Sequence, residues 1–464
     1  MVVAVRVLLA FPPVPPVLAL GEMRSRPPLG VYVLAGALRA RGIDVRVADP
    51  SHLEAFLFSA PTSASAGAGA GAEAQAGAQA DAAAVDAGLA ALLGGVDVLG
   101  VSCHTFNWGV GRLLVERARR LFPGLVIVLG GLHPSLFPGH ALEVAPADFV
   151  VAGEGERALP LLIAALAAGT LKPGVPQVVP PGGLAGAERL AGAELAAVEP
   201  AYDLVPRHYP SVSVESSRGC RHACTFCSVP HHGSWRALPP GVVAARVAAA
   251  FAALGRDARG GEVFIVDDCF TADPARALVI LNAIGALGAR AIMEGRIDDA
   301  LAPGFLDGVP WDAVKSLQFG VECGYDEGLR RIGKGITIAA VEAALERVAA
   351  AGAAGRVVVS FIAGFPWESE AQWTRTIHCA ADLACRYEVR VSTNVFGLYP
   401  SWLWDHRERF GIAAGEEVFD DPYWMLDQDV FFRLHPNLDP GAYGRIHALL
   451  QAYGQSGVTM VNAR

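Results

Sequence analysis

The sequence predicts an α/β protein with two successive domains, each built on a parallel sheet, and a small, mainly helical C-terminal segment. Short β-branched runs alternate with helical patterns in two series along the 464 residues, and a stretch rich in Pro, Gly and Ala separates the series. Single hydrophobic cores usually stop growing at about 250–300 residues. More than one domain is therefore expected.

Residues 1–165 are predicted to form a doubly wound, Rossmann-like domain. Its strands are expected at "VAVRVLLAF", "DVRVAD", "DVLGVSC", "VIVLGG" and "DFVVAGEGE". Strands of a parallel sheet are buried on both faces and need such continuous apolar runs, and ligands gather outside their carboxyl ends. Residues 61–87 are expected to be a disordered low-complexity insertion with some helical tendency, and residues 166–209 a linker.

Residues 210–405 are predicted to form a partial (β/α)6 barrel of the TIM type. Six strand-like runs alternate with helices there: "SVSVESS", "GEVFIVDD", "RAIMEGRI", "SLQFGVECG", "RVVVSFIAGFP" and "VRVSTNVFGLYP". The chemistry of such barrels lies on the loops that follow the strands. Residues 406–464 are rich in aromatic side chains and are expected either to cap the barrel mouth or to pack as a helical tail.

Composition excludes several classes of protein. The net charge is −9, and the basic residues form no stripe that would attract nucleic acid. No run of residues is apolar enough to span a bilayer, so a cytoplasmic protein is expected. The eight cysteines are spread along a long chain, unlike the disulfide framework of a small secreted domain, so reduced thiols are predicted.

A compact cysteine motif, "SRGCRHACTFCSVP", follows the first predicted barrel strand and so lies at the catalytic end. It holds three cysteines: Cys220, Cys224 and Cys227. Structural zinc and most electron-transfer iron–sulfur clusters take four ligands, so three thiolates leave one position open. The spacing permits a Cys3His zinc site completed by His222, His231 or His232, but it favours a [4Fe–4S] cluster whose fourth iron is left for a substrate or cofactor.

The CxxxCxxC spacing, with Phe226 before the third cysteine, resembles the radical S-adenosylmethionine (SAM) superfamily. The resemblance implies that the amino and carboxylate groups of SAM chelate the open iron. "EVFIVDDCFT" is similar to a segment of the cobalamin-associated branch and implies that Asp267 and Asp268 lie near the SAM amine, although a strand-end turn with a helix N-cap also suits them. "FGVECG" and "KGIT" match the same branch and imply that Glu322 points inward.

Three departures from the branch pattern concern the predicted substrate side. "SFIAGFPWES" has Ser360 and Trp367 where the family pattern has glycines, and "YPSWL" stands where "PGTPL" is usual. These differences affect the expected walls of the substrate site more than the SAM site.

In the first domain, "VLGGLHPSLFP" and "VVAGEGERALP" follow the fourth and fifth strands. Taken singly they indicate a tight turn and a helix start with favourable acidic residues. In this order, ahead of such a core, they resemble the B12-binding domain of cobalamin-dependent radical SAM enzymes. The resemblance implies cobalamin contacts from Ser102, Thr105, Gly130, Gly131, His133, Gly153 and Glu154.

The DxHxxG motif that supplies a histidine to cobalt in other B12 proteins is missing, as it is from many members of this branch. His104 and His133 are possible cobalt ligands, but a surface or hydrogen-bonding role is favoured for each. The related methylthiotransferases hold a second cluster on three further cysteines of the front domain. Only Cys103 is available here, which disfavours that group.

The resemblance implies that an electron from the reduced cluster splits SAM into methionine and a 5′-deoxyadenosyl radical, which takes a hydrogen from the substrate. Methylcobalamin would then methylate an unactivated carbon of a small molecule, and a flavodoxin or ferredoxin would supply electrons. A cobalamin-linked rearrangement, cyclisation or ring contraction is the alternative. A non-catalytic cobalamin or iron–sulfur sensor is a more distant one and would not turn over SAM.

Overall fold

The computed structural model describes residues 5–15, 25–57, 72–174, 176–229, 233–454 and 458–461. The chain divides into two compact units. The first contains residues 1–19, 28–205 and 416–424, and the second contains residues 20–27, 206–415 and 425–464. Part of the predicted insertion, residues 61–71, and two of the candidate zinc ligands, His231 and His232, lie outside the described residues.

The first unit is built on a six-stranded parallel sheet with strand order β2-β1-β3-β4-β5-β6. Its strands are β1 Arg6–Ala10, β2 Asp44–Ala48, β3 Val98–Ser102, β4 Val126–Gly130, β5 Phe149–Val151 and β6 Gln177–Val179. The sequence predicts the first five. The sixth comes from the expected linker, whose polar and Pro-rich sequence gives no strand signal but whose backbone pairs with β5 at the sheet edge.

The helices of the first unit connect these strands. They are Leu29–Arg39, Pro50–Leu57, Ala72–Leu93, Trp108–Leu121, Leu132–Leu136, Pro138–Val144, Gly155–Ala167 and Gly192–Ala197. The helix Ala72–Leu93 covers much of the segment expected to be disordered. Alanine has the highest helix propensity, and this outweighs the lack of large apolar side chains there.

The second unit is built on a seven-stranded parallel sheet with strand order β15-β14-β13-β12-β11-β10-β7. Its strands are β7 Ser211–Val214, β10 Glu262–Ile265, β11 Arg290–Gly295, β12 Val314–Glu322, β13 Val357–Ala363, β14 Arg390–Val395 and β15 Val458–Val461. The six predicted barrel strands are present, so the predicted fold class is confirmed. A short antiparallel pair, β8 Ser217–Arg218 and β9 Arg236–Ala237, brackets the cysteine motif.

Helices alternate with the strands of the second sheet. They are Pro240–Ala253, Pro274–Ala286, Ile297–Ala300, Phe305–Gly308, Asp326–Arg331, Ile338–Ala350, Glu370–Tyr387, Trp402–Asp405, Gln428–Leu434 and Pro440–Gly454. Val263, Leu317 and Val359 belong to a strand face that is fully buried. Alternate residues, such as Gln318 and Ser392, form the other face and are polar and partly exposed.

The C-terminal residues are mainly helical, as expected, and they also contribute one strand. The strand β15 extends the barrel sheet by pairing with β14. The helix Pro440–Gly454 buries Ile446 and Leu450 against Trp373 and Ile377 of the helix Glu370–Tyr387. The expected capping role of residues 406–464 stays a prediction. Within the described ranges, none of the helices combines the length and apolar character needed to cross a membrane.

Residues 416–424 belong to the first unit although they lie late in the chain. The Nε1 of Trp108 donates a hydrogen bond of 2.8 Å to Asp420, whose carboxylate also lies 3.1 Å from Nε2 of His140. A Cβ at Gly109 would lie 2.6 Å from the backbone nitrogen of Pro422. Only glycine allows the segment to come this close.

Replacing Asp420 by Asn is expected to destabilise the first unit most at mildly acidic pH. The hydrogen bond to Asp420 raises the pKa of His140 above 6.5. The stabilisation of the folded state by this pair is therefore complete below pH 6.5 and is lost as the pH rises through the raised pKa. Burial opposes ionisation of Asp420, but hydrogen bonds from His140 and Trp108 lower its pKa below 3.8, so its contribution is lost only in stronger acid.

We expect the Asp420→Asn protein to lose about 1 kcal/mol of unfolding free energy near pH 5.5 and less near pH 8.5, as measured by urea unfolding. Asp421→Asn is the control, because the Asp421 carboxylate accepts only a local bond from the backbone of Tyr423 among the hydrogen bonds of the described residues. An equal loss at both pH values would contradict the paired-charge interpretation.

Candidate cofactor sites

The cysteine motif forms a buried loop after β8. Cys220 and Cys224 are 9% and 8% exposed, Cys227 is partly buried, and none of the three is in a disulfide bond. The backbone of Thr225 is held on two sides: its N–H donates to the carbonyl of Ile332 at 3.0 Å, and its carbonyl accepts from Leu403 at 2.9 Å. Leu403 belongs to the divergent "YPSWL" segment, so that segment supports the cysteine loop.

The two aspartates after β10 also support this loop. Asp267 is 6% exposed and accepts hydrogen bonds from the backbone and hydroxyl of Ser216 and from the hydroxyl of Ser217, at 2.5–2.7 Å. Burial raises the pKa of Asp267, and the serine hydrogen bonds oppose that shift. Asp268 accepts from the backbone N–H of Gly219 at 2.8 Å. Both carboxylates therefore hold the backbone that leads into the cysteines.

A fourth cysteine, Cys269, packs against Cys220 in a small buried cluster. A hydrogen bond from Cys269 lowers the pKa of Cys220 to about 6, and the same bond together with burial raises the pKa of Cys269. Sγ of Cys269 also lies 3.4 Å from a carboxylate oxygen of Asp299. The interaction between the two thiols therefore favours the thiolate at Cys220 and the protonated thiol at Cys269.

Burial, together with the nearby Cys224, Asp268 and Cys220, raises the pKa of Cys227 to about 12. A buried thiol of this kind is deprotonated most readily by coordinating a metal, because the metal supplies the missing positive charge. The donor set therefore fits an iron–sulfur cluster held by three thiolates.

The geometry of the described residues does not favour zinc at the cysteine loop. In a tetrahedral zinc site, Zn–S bonds of about 2.3 Å place the sulfurs roughly 3.8 Å apart. Among the described residues, the three-residue ligand group whose atoms all lie within 4.8 Å of one another consists of His222, Asp298 and Asp299, and the three thiols form no such group. His222 thus lies near two carboxylates, and the three sulfurs are not all as close together as a zinc site requires.

The end of β12 contributes a charged pair beside the motif. Glu322 is 8% exposed and has a φ of 79°, a strained left-handed conformation for a residue with a side chain. Its carboxylate accepts a hydrogen bond of 3.1 Å from Nζ of Lys334, and that Nζ lies 5.9 Å from the ring centre of Phe226. A Cβ at Gly320 would lie 2.3 Å from the Glu322 carboxylate, so the pair covers the sheet face that holds Gly320.

The loop after β13 is organised by Glu368, which is fully buried. Its carboxylate accepts from the hydroxyl of Tyr325 at 2.7 Å and from the backbone N–H groups of Gly364 and Phe365 at 2.7 and 2.9 Å. Trp367, at one of the divergent positions, stacks on the ring of Phe365 with centres 5.0 Å apart. The loop therefore presents an aromatic wall.

In the first unit, the expected cobalamin contacts follow three neighbouring strands, β3, β4 and β5. Gly131 has a φ of 85°, and a Cβ there would lie 2.6 Å from the carbonyl of Cys103 and 2.8 Å from the hydroxyl of Ser102. At Gly130 the nearest atom to a Cβ would be the carbonyl of Val151, at 3.6 Å. Gly131 is thus required by the fold itself, whereas Gly130 leaves space for a ligand.

His133 is fully buried. Its ring stacks on Trp108 with centres 4.7 Å apart, contacts the rings of Phe137 and Phe419 edge-on, and lies 3.4 Å from the hydroxyl of Thr105. Burial lowers the pKa of His133 to about 3, so the imidazole is neutral. The geometry gives His133 and Thr105 roles in the packing of the loop.

The "GEGE" segment is tied to its own unit. The backbone N–H of Gly153 donates to the hydroxyl of Ser135 at 2.9 Å, and that hydroxyl donates to the carbonyl of Gly131 at 2.6 Å. The carboxylate of Glu154 accepts from the backbone of Leu190 at 2.5 Å. Ser135 therefore joins the two predicted cobalamin motifs to each other.

Sequence reasoning missed four residues of these sites: Cys269, Lys334, Glu368 and Arg296, whose Nη1 lies 3.7 Å from Sγ of Cys224. Each stands inside a segment that the sequence singles out, namely "VDDCFT", "MEGRI", "KGIT" or "FPWES". The only signal is a charged or thiol side chain just after an apolar strand or, for Lys334, just after the helix that follows one. Spacing alone does not indicate which partner such a side chain meets.

Two family models match the chain: the radical SAM superfamily over residues 214–380 and the B12 binding domain over residues 63–163. These matches assign a [4Fe–4S] cluster and SAM to the barrel and cobalamin to the first unit. No curated protein sequence matches the chain.

The chain is similar in structure to the radical SAM methyltransferase TsrM from Kitasatospora setae, solved with tryptophan substrate and a SAM analog, with a TM-score of 0.66 and 18% identity over 99% of this chain and 91% of TsrM. It is also similar to the cobalamin-dependent radical enzyme OxsB. With aqua-cobalamin bound, the TM-score is 0.58 at 18% identity, over 82% of this chain and 52% of OxsB. For OxsB with both aqua-cobalamin and SAM bound, the TM-score is 0.60 at 17% identity, over 99% of this chain and 62% of OxsB.

Replacing Cys220, Cys224 and Cys227 together by Ala is expected to abolish iron binding, whereas Cys269→Ser should retain it. The first three thiols form the proposed ligand set, and the fourth packs against Cys220 beside that set. Anaerobically reconstituted protein should hold about four irons per chain, measured by iron and sulfide analysis. Loss of the cluster in Cys269→Ser would instead indicate a four-cysteine site.

Replacing Gly130 by Leu is expected to weaken cobalamin binding at least tenfold while leaving the unfolding free energy within about 0.5 kcal/mol of the wild type. Gly131→Ala should lower that free energy by 1 kcal/mol or more, because its Cβ would meet the Cys103 backbone. Cobalamin titration by absorbance and urea unfolding separate the two effects. Full binding by Gly130→Leu would place cobalamin elsewhere.

Proposed function

The chain belongs to the cobalamin-dependent radical SAM enzymes, and on that premise we propose that it is a methyltransferase acting on an unactivated carbon of a small molecule or natural-product intermediate. The observation that carries the proposal is the extent of the structural likeness to TsrM. The chain matches 91% of that methyltransferase, compared with 52–62% of OxsB. This wider coverage of a methyltransferase supports methyl transfer.

In this proposal the three motif cysteines hold the cluster. Phe226, Asp268 and Glu322 line the proposed SAM site, and Lys334 orients the Glu322 carboxylate through their buried pair. When bound, the reduced cluster supplies one electron to cleave SAM, and cobalamin carries the methyl group. Asp267 does not contact SAM in this proposal, because its carboxylate accepts hydrogen bonds from the two serines that lead into the cysteine loop. Its role is to support that loop.

The chain's own residues also exclude water from the proposed reaction site. Phe226 contacts Phe365 edge-on with ring centres 5.8 Å apart, and Phe365 lies between Trp367 and Phe396, each with its ring centre at 5.0 Å. An apolar wall of this kind shields a reactive carbon-centred species from side reactions. The polar face of the sheet, with Gln318 and Ser392, offers hydrogen bonds to a substrate.

Cobalamin is proposed to bind at the carboxyl ends of β3, β4 and β5, where Ser102, Gly130 and Gly153 lie. Because His133 is enclosed by aromatic rings and no DxHxxG histidine is present, the cobalt is proposed to bind without a protein imidazole on its lower face. We further propose that a flavodoxin or ferredoxin supplies the electrons, in the cytoplasm.

Holoenzyme incubated with methyl-labelled SAM and a strong reductant is expected to carry the label on extracted cobalamin, as detected by mass spectrometry. The Gly130→Leu protein is the matched control and should yield much less labelled cobalamin while still forming 5′-deoxyadenosine. Formation of 5′-deoxyadenosine by the wild type with no label on cobalamin would overturn methyl transfer and favour a rearrangement, cyclisation or ring contraction.

A further inference from the structure

Arg296 is a buried arginine directly after β11, and only 6% of it is exposed. Its backbone N–H donates to the hydroxyl of Thr271 at 3.0 Å. Burying a guanidinium is costly unless anionic or strongly polar partners surround it. The partners of Arg296 therefore indicate why a charge is kept at this position.

The guanidinium has three kinds of partner. Nε and Nη2 donate to the two carboxylate oxygens of Asp298 at 2.9 and 3.1 Å, in a bidentate pair. Nη2 also donates to the backbone carbonyl of Lys334, in the segment that carries the Glu322 partner. Nη1 lies 3.7 Å from Sγ of Cys224, within hydrogen-bond distance of a sulfur acceptor.

Cys224 is the partner whose charge depends on the cluster. As a neutral thiol it is a weak acceptor, but as an iron ligand it is a thiolate and part of an anionic cluster. A fixed positive charge beside a ligand sulfur stabilises the more negative, reduced cluster more than the oxidised one. Net charge and hydrogen bonds to sulfur are among the main determinants of cluster potential.

We propose that Arg296 is a positioning residue that holds the Cys224 sulfur and raises the reduction potential of the cluster, making the one-electron reduction that precedes SAM cleavage easier. This rests on the proposed ligation of the cluster by the three motif cysteines. Asp298 opposes Arg296, because its carboxylate neutralises part of the guanidinium charge. The two side chains therefore shift the potential in opposite directions.

The test is a redox titration of the reconstituted wild type and variants with dithionite, followed by the EPR signal of the reduced cluster, without SAM. For Arg296→Met we expect the ratio of reduced to oxidised cluster at a fixed potential to fall about tenfold, which is about 59 mV for one electron. For Asp298→Asn we expect that ratio to rise. A residue that only supports the fold would not produce opposite shifts from the two members of a pair.

Arg290→Met is the matched control, because it removes the same charge from the first residue of β11, roughly 20 Å from Arg296 at 3.3 Å per residue. We expect its ratio to stay within twofold of the wild type. An unchanged ratio in Arg296→Met with its iron retained, or a fall in Asp298→Asn, would overturn the inference. If the Arg296→Met protein loses iron, the ratio of reduced to oxidised cluster in the Asp298→Asn protein tests the inference on its own. A wild type that binds no iron would instead refute the proposed cluster site.

Discussion

The cysteine loop depends on hydrogen bonds from residues far away in sequence. A loop that must present three sulfurs to one metal group cannot form a regular helix or strand, so its backbone groups need other partners. Asp268 and Ile332 supply two of them, and Leu403 supplies another from the end of the barrel. Asp268 follows the strand β10, and Ile332 and Leu403 lie in segments that connect strands of the same parallel sheet. The sheet therefore determines the geometry of the loop.

The same constraint governs the first unit. The loops after β3, β4 and β5 are joined through the Ser135 hydroxyl and through the close approach of Gly131 to Cys103. Two hydrogen bonds with residues outside this edge complete the arrangement. The carboxylate of Asp420 accepts from Nε1 of Trp108, and the backbone N–H of Leu190 donates to the carboxylate of Glu154. The sheet edge is thus prepared by internal hydrogen bonds, and only a position such as Gly130 is left with room for a ligand.

The sequence predicts the parts of the fold that depend on local periodicity. Continuous apolar strands such as β10 and β13 are recognisable because they are buried and regular. The strands β6 and β15 are not predicted, because each is a short edge strand whose pairing, and not its composition, defines it. The helix Ala72–Leu93 is underestimated, because its alanines favour helix without giving an amphipathic pattern.

The candidate sites are predicted only as far as motif positions allow. Cys220 is identifiable from spacing, but its neighbour Cys269 lies 49 positions away, and the contact depends on how the loop after β10 folds back. Asp267 illustrates the converse: its position in a motif suggests a ligand contact, while its hydrogen bonds show a supporting role. The direction of a side chain depends on the tertiary structure. Motif spacing therefore identifies the location of a site more readily than the role of each residue in it.

The departures from the family pattern also acquire a physical meaning. Trp367 stands at an expected glycine, stacks on Phe365, and lies under the guanidinium of Arg331 with 4.5 Å between the carbon of that group and the ring centre. A large aromatic side chain at this place narrows the loop and adds apolar surface that a glycine cannot provide. The departure therefore changes the shape of the wall while Glu368 keeps the loop backbone in place. Substrate selection can diverge in this way without disturbing the hydrogen bonds on which the cysteine loop depends.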